Sequence, residues 1–163
     1  MVDAAAVERQ TGAKPVESSF RDNRRWVVEA AHLYDVLKCL RDSYGFDQLV
    51  DITAVDYLEA PDAADRYGIV YPLLNTQTGE RLIVKTFVND PDPEVATVTS
   101  LWRAADWMER EVYDMFGIRF RGHPDPRRIL MPDEFVDFPL RKDYPLKGRG
   151  ERHNFPVITR AES

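Results

Sequence analysis

Leu33, Leu37, Leu40 and Tyr44 recur every three to four residues through "AAHLYDVLKCLRDSY", residues 30–44. That is the period of a helix with one buried face, and Gly45 stands where it would stop. A shorter helix is predicted over "VDAAAVERQTG", closed by Gly12. Elsewhere the pattern is that of strands. "VESSFRDNRRWVVEA" reads as a hairpin with Asp22 and Asn23 near its turn, and "FDQLVDITAVDY" as a single strand. "DRYGIVYPLLN" and "RLIVKTFVND" flank "TQTGE" and give the strongest hairpin signal in the chain. "DPDPE" then breaks the strand pattern. A helix is predicted from about residue 98 to 116, with Thr97 as its N-cap and Gly117 as its stop.

Beyond Gly117 both periods fade. Six of the 11 prolines lie past residue 122: Pro124, Pro126, Pro132, Pro139, Pro145 and Pro156. Proline removes a backbone donor and fixes φ, so long helices and central strands are not expected there. Yet Ile129, Leu130, Phe135, Phe138, Leu140, Tyr144, Leu146 and Phe155 are spread through the same stretch. So many apolar anchors predict a segment that lies on a surface rather than a disordered tail. The fold class expected is α+β: a two-layer domain with a mixed sheet packed by helices over residues 1–117. An extended proline-rich C-terminal arm over 118–163 would follow, packing on the domain and on partners.

Composition narrows the function classes. A chain of 163 residues with 44% hydrophobic and 31% charged residues is balanced for one globular domain. No apolar run approaches the roughly 20 residues of a spanning helix. The N-terminus lacks the basic start and apolar core of a signal peptide, so a cytoplasmic setting is expected. Cys39 is the sole cysteine, which rules out an internal disulfide and a four-cysteine cluster site. His32, His123 and His153 are not at metal-ligand spacing. No dinucleotide, P-loop or nucleophile-elbow motif occurs. The net charge of −6 argues against nucleic-acid binding. It is unevenly spread: from Gly117 onward 10 bases face 7 acids, against 12 bases and 21 acids before it. The basic third either meets an acidic partner or the chain's own acidic body, or the two halves are simply solvated faces.

On the helix predicted for 98–116, Val98, Trp102, Ala105, Val112 and Phe116 share one stripe at about 100° per residue, with Leu101 and Met108 at its edge. Glu109 falls inside that stripe. A carboxylate there must be paired, protonated or at the edge of the packing. The leading reading is an ion pair with Arg127, Arg128 or Arg141. A partner-contacting carboxylate and a catalytic acid or base stand behind it. Trp107 lies on the opposite side near Arg103, Arg110, Glu111 and Asp114. It is either covered by the arm or offered to a partner, and Arg110 and Asp114 are spaced to pair along the helix.

"WRAADWMEREVYDMFGIRFRGHPDPRRILMPDEF", followed by "PLRKDYPL", closely resembles the family of the C subunit of NADH-quinone oxidoreductase, respiratory complex I, known in mitochondria as the 30 kDa subunit. The pattern E-R-E-x-x-D-x-F-G-I-x-F-x-G-H-P-D-x-R-R-I-L runs from Glu109 to Leu130 without a gap. The resemblance implies a peripheral-arm subunit with no redox centre and no active site of its own, in an NADH:quinone oxidoreductase that translocates protons. It implies FMN and iron–sulfur clusters carried by partner subunits, packing beside the D subunit (the 49 kDa type) and near the B and I subunits. It further implies contact with the membrane only through the complex, on the cytoplasmic face.

Glu109, Arg110, Glu111, Asp114, Gly117, His123, Pro124, Asp125, Arg127 and Arg128 match the motif, and Arg141 and Lys142 lie in its extension. With Trp107 these are the candidate structural and interface residues. Gly117 would permit the turn, Pro124 and Pro126 would stiffen the chain, and the arginines suit carboxylate contacts. His123 is either a hydrogen-bonded structural residue or a proton carrier. Asp137 stands where many members have glycine, which leaves the local turn open. Two alternatives remain: the equivalent module of a related membrane-bound hydrogenase or F420H2/plastoquinone dehydrogenase, and a free-standing enzyme using Glu109, Asp114 and His123.

Overall fold

The computed structural model describes residues 2–151. His153, Phe155 and Pro156 lie outside the described residues. The helix α1 (Ala4–Thr11) is capped by Asp3, whose carboxylate accepts from the Ala5 N–H, and ends on Gly12. The hairpin of β1 (Val16–Phe20) and β2 (Asn23–Val27) turns at Arg21 and Asp22. A 3-10 turn (Ala30–His32) leads into α2 (Leu33–Tyr44), which buries Leu33, Val36, Leu37 and Leu40 and stops at Gly45.

The single strand expected over 46–57 is two short ones, β3 (Gln48–Leu49) and β4 (Thr53–Asp56). Both pair antiparallel with β5 (Tyr67–Leu74), β3 at Leu73 and Leu74, β4 at residues 67–70. The chain steps between these two places at residues 50–52, and that step divides the strand. β5 and β6 (Arg81–Val88) form the expected hairpin across Thr76, Gln77, Thr78 and Gly79. β2 pairs parallel with β6, so the sheet is mixed, in the order β1-β2-β6-β5-β3 with β4 also on β5.

Trp26, Tyr67, Ile69, Tyr71, Leu73, Leu82 and Val84 are the buried alternate positions of this sheet. They form one core with the apolar faces of the helices, the two-layer α+β arrangement expected. On the other face Lys85 Nζ sits 4.8 Å and 5.0 Å from the rings of Tyr57 and Phe87.

Two features were not anticipated. The segment after the prolines forms β7 (Glu94–Ala96), which pairs parallel with β8 (Arg119–Arg121). The helix α3 (Ala105–Phe116) connects them, giving a small β-α-β unit whose parallel register requires the crossover. The helix expected from residue 98 therefore begins at Ala105. Residues 98–104 make tight turns instead, with Leu101 and Trp102 N–H both donating to the Val98 carbonyl. Thr97 does not cap the helix; its hydroxyl donates to Glu109. Past Gly122 the described chain contains turns and bends without a long helix or strand.

Gly117 ends α3 at φ 73°, and a Cβ there would lie 2.5 Å from Phe138 and 2.7 Å from Arg141. Gly12 has the same φ sign, but a Cβ there meets nothing within 4 Å. Gly12→Ala should cost about 1 kcal/mol from backbone strain alone. Gly117→Ala should cost about 2–4 kcal/mol, because overpacking against the ring adds to that strain. Urea denaturation of the two variants checks the difference; equal costs would contradict the packing described.

Candidate functional site

α3 is buried on two sides. Ala105, Glu109, Val112 and Phe116 join the core, as the stripe predicted. Asp114 lies on the opposite side by helical geometry, yet it is fully buried too. The reason is that residues 127–141 cross that side of the helix. Arg110 donates to the carbonyls of Arg127 and Arg128, both at 3.0 Å. Leu140 N–H donates to the Met115 carbonyl at 3.1 Å, and Arg141 Nε to the Phe116 carbonyl at 2.6 Å. The last two contacts satisfy helix C-terminal carbonyls that have no partner within the helix.

Asp114 is the centre of this contact. Its Oδ1 accepts from Arg128 Nη1 at 2.6 Å. Its Oδ2 accepts from three consecutive backbone N–H groups, Ile129 at 3.1 Å, Leu130 at 2.7 Å and Met131 at 2.8 Å. Successive amides turned toward one anion make a nest, here for the chain's own carboxylate. Burial alone would raise the Asp114 carboxyl; the three N–H donors and Arg128 outweigh it and hold it below the ordinary value.

The arginine staple expected at Glu109 therefore forms at Asp114, and with Arg128 alone of the three candidates. Arg127 is 77% exposed and pairs with Asp125 at 2.7 Å, while Arg141 serves the helix end and lies 4.7 Å from the Phe138 ring centroid. Arg110 does not pair with Asp114 along the helix, because the arm's carbonyls take its guanidinium.

Among the described residues Glu109 has no arginine partner, and it is fully buried. Its Oε1 accepts from the Val98 N–H at 2.7 Å and its Oε2 from the Thr97 hydroxyl at 2.5 Å. Burial pushes its carboxyl up to about 7; those two donors oppose the rise, and Asp106 adds to it. His123 Nε2 stands 3.8 Å from Glu109 Oε2. The Asp125 N–H donates to His123 Nδ1 at 3.0 Å, so the ring proton sits on Nε2, which donates to the Asp106 carbonyl at 3.1 Å.

A second clamp holds the arm at Lys142 and Asp143. Asp56, at the end of β4, has a fully buried carboxylate. It accepts from Arg66 Nη2 at 3.1 Å, from the Leu58 N–H at 3.0 Å and from the Lys142 N–H at 2.9 Å. Arg66 also reaches Asp143 at 2.9 Å. Lys142 thus contributes its backbone, and its side chain faces solvent. Neither Asp56 nor Arg66 was singled out in the sequence. The available signal was Asp56 itself: in the alternation of β4 it shares the buried side with Ala54.

The remaining candidates are peripheral. Glu111 and Pro124 are exposed. Trp107 is 64% exposed under the Arg110 guanidinium at 5.6 Å, so the described part of the arm leaves it uncovered. Leu130, Val136 and Leu140 of the arm are also more than half exposed. Asp137 takes its turn at negative φ, its carbonyl accepting from Arg128 and its carboxylate pairing with Arg149 at 3.0 Å. Among the described residues no group of three or more His, Cys, Asp or Glu side chains is placed to hold a metal ion.

Residues 26–150 match the family model described as respiratory-chain NADH dehydrogenase, 30 Kd subunit. The chain belongs to this 30 kDa family, that of the C subunit of NADH-quinone oxidoreductase. It is 44% identical over 131 residues to the C subunit of Citrifermentans bemidjiense, covering 80% of each chain. To subunit 5 of the Thermus thermophilus enzyme it is 41% identical over 145 residues, 85% of this chain and 70% of that one. Among solved structures, the trypsin-resistant fragment of Nqo5 superposes with a TM-score of 0.65 at 35% identity, over 74% of this chain and 95% of that one. A chain of the membrane-bound sulfane sulfur reductase, an archaeal respiratory membrane complex, shares the fold, with a TM-score of 0.72 at 24% identity over 96% and 91% of the two chains. Membership of the 30 kDa family accounts for the run from Glu109 to Leu130: it spans the helix, its glycine stop and the segment that folds back over it.

Asp114→Ala should destabilise the chain by about 3–5 kcal/mol, since it leaves Arg128 and three amides without their acceptor. Arg128→Ala should cost a similar amount, whereas Arg127→Ala should stay within about 0.5 kcal/mol, as exposed pairs do. Urea unfolding monitored by Trp fluorescence distinguishes them, and equal effects at 127 and 128 would refute the assignment.

Glu109 works in the opposite sense. Its folded-state value near 7 lies above the ordinary 4.5, so it costs nothing below pH 4.5 and progressively more as pH rises to 7. Glu109→Gln should therefore gain stability relative to wild type across that window, by about 3 kcal/mol in total. A pH-independent difference in urea midpoints would contradict this.

Proposed function

We propose that this chain is a non-catalytic scaffold subunit of the peripheral arm of a proton-translocating NADH:quinone oxidoreductase. Electrons would pass from NADH to quinone through FMN and iron–sulfur clusters held by other subunits. This chain would supply geometry and binding energy. The observation that carries the reading is the arm clamped across α3 by Asp114, which leaves Trp107, Leu130, Val136 and Leu140 exposed. A tryptophan beside an arginine, as Trp107 is beside Arg110, is the usual composition of an interface hot spot, and the exposed aliphatic side chains of the arm add apolar area to it. The partner expected there is a 49 kDa-type protein, the D subunit of the complex, with the B and I subunits nearby. Among the described residues no helix is long and apolar enough to cross a membrane. Attachment would be through the complex, on the cytoplasmic side.

The free-standing enzyme reading is disfavoured by the geometry. Asp114 is saturated by four donors and fully buried. The related hydrogenase or dehydrogenase module is disfavoured by identities of 41–45% to NADH-quinone oxidoreductase chains of the 30 kDa family.

Co-expression with a tagged 49 kDa-type partner tests the proposal. The wild-type chain should be recovered with it, and Trp107→Ala combined with Leu130→Ala should reduce recovery at least about tenfold without altering the unfolding midpoint. Undiminished recovery by that variant, or NADH:quinone turnover by the isolated chain, would overturn the reading.

A further inference from the structure

A cavity of about 320 Å³ opens between α3, β8 and the loop that carries His123, and Asp114 does not line it. Its two ends differ in chemistry. Arg119 and Arg121 stand at the open end, their side chains 54% and 71% exposed. Glu109 and His123 form the closed end, with side-chain exposures of 0% and 3%. Tyr113 and Phe120 supply apolar wall between them. A volume of this size suits a small ligand of mixed character.

The charges at the mouth favour an anion. Arg110, Arg119 and Arg121 line the cavity against Glu94, with Glu109 behind them. Arg121 donates to Glu94 at 3.2 Å, and Arg119 donates to Asp92 at 3.1 Å and lies 3.7 Å from Glu94. Each contact uses one part of a guanidinium that has five N–H donors, so both arginines keep donors for a further carboxylate. Since β8 alternates, Arg119 and Arg121 project from the same side of the strand.

We propose that this cavity binds a monocarboxylate with a compact aromatic or aliphatic body. Arg119 and Arg121 hold its anion at the mouth, and its occupancy makes Glu109 take up a proton. The second half follows from the cavity's shape. Glu109 itself has no solvent contact, so the effect acts across the wall: an apolar body against Tyr113 and Phe120 replaces polarisable water in the cavity with low-dielectric material, and the ligand's charge adds like-charge repulsion. Both effects favour the neutral carboxylic acid.

The groups facing Glu109 set its starting point. α3 contributes Asp106, Arg110 and Tyr113, and the turn after β7 contributes the Thr97 hydroxyl and the Val98 N–H. β5 contributes Tyr71, whose buried hydroxyl has no hydrogen-bond partner among the described residues and whose ionisation is opposed by burial and then by Glu109. β7 and β8 contribute Glu94, Arg119 and Arg121, and the loop beyond contributes His123. Among the described residues no arginine or lysine pairs with Glu109, and His123, at 3.8 Å, is the neutral tautomer, so a ligand's charge is not swamped by a fixed cation beside it.

The ligand's source is either a free small acid or the C-terminal carboxylate of a peptide ending in an apolar residue. The proposal is independent of the scaffold reading. The test is isothermal titration of the purified 163-residue chain just above pH 7, in HEPES and in Tris, whose ionisation enthalpies differ. The probes are benzoate, neutral benzamide, and a short peptide ending in phenylalanine as free acid or amide.

One-site binding of benzoate with net proton uptake is expected, with no binding of benzamide. If a peptide terminus is the ligand, the free-acid peptide binds more tightly than benzoate and the amide does not bind. If a small acid is the ligand, benzoate binds and neither peptide does. Arg119→Ala with Arg121→Ala, both exposed changes that leave the fold intact by circular dichroism, should weaken binding at least about tenfold. Glu109→Gln should bind without proton uptake. Failure of both acids to bind, equal binding of benzamide, indifference to the arginine changes, or proton exchange that is absent in wild type or retained in Glu109→Gln would each overturn the proposal.

Discussion

A buried carboxylate that must be satisfied organises this chain. Asp114 lies on the side of α3 away from the sheet, where the helix alone would leave it in water. The arm buries it, so the arm must bring donors, and the three successive amides at 129–131 with the Arg128 guanidinium are what it brings. An isolated charge in that place would cost several kcal/mol. Arm and helix therefore hold together as one unit: displacing residues 128–131 uncovers a charge, and removing the charge strands the donors.

The described part of the arm repeats this solution up to Asp143. Ordering irregular chain costs roughly 1–2 kcal/mol of backbone entropy per residue, and without a ladder of hydrogen bonds that cost must be met at discrete anchors. The first anchor is Asp114. The second is the C-terminal end of α3, where Arg141 and Leu140 satisfy free carbonyls and Phe138 fills the space that Gly117 leaves. The third is Asp56 with Arg66, which together hold Lys142 and Asp143. Between these points the apolar side chains of Leu130, Val136 and Leu140 remain turned outward. A segment fixed at its polar points and open at its apolar ones suits a protein whose proposed work is to hold neighbours in position.

Much of this was legible in the sequence because it is local. The period of three to four in residues 30–44, the hairpin around Thr76–Gly79 and the stops at Gly12, Gly45 and Gly117 depend on nearby residues alone, and the structure follows them. The motif from Glu109 to Leu130 identified the family. What the sequence hid was long-range. β7 and β8 pair across the length of α3, and the turns at residues 98–104 bring the Val98 N–H to the carboxylate of Glu109, 11 residues on, which a continuous helix would hold out of reach. The same limit moved the staple. Periodicity marks Glu109 as buried and Asp114 as exposed, since it knows only one covering surface. The arm is a second one, and it turned Asp114 into the ion-paired carboxylate while Glu109 settled on neutral donors.

Asp114 should thus fix the arm on α3 in this chain by itself, before any partner arrives. Amide hydrogen exchange of the isolated wild-type chain measures this directly. The N–H groups of Ile129, Leu130 and Met131 should exchange slowly, with protection approaching that of core amides in β5 and β6. Exchange of those three at the rate of unfolded chain, while the sheet stays protected, would contradict it.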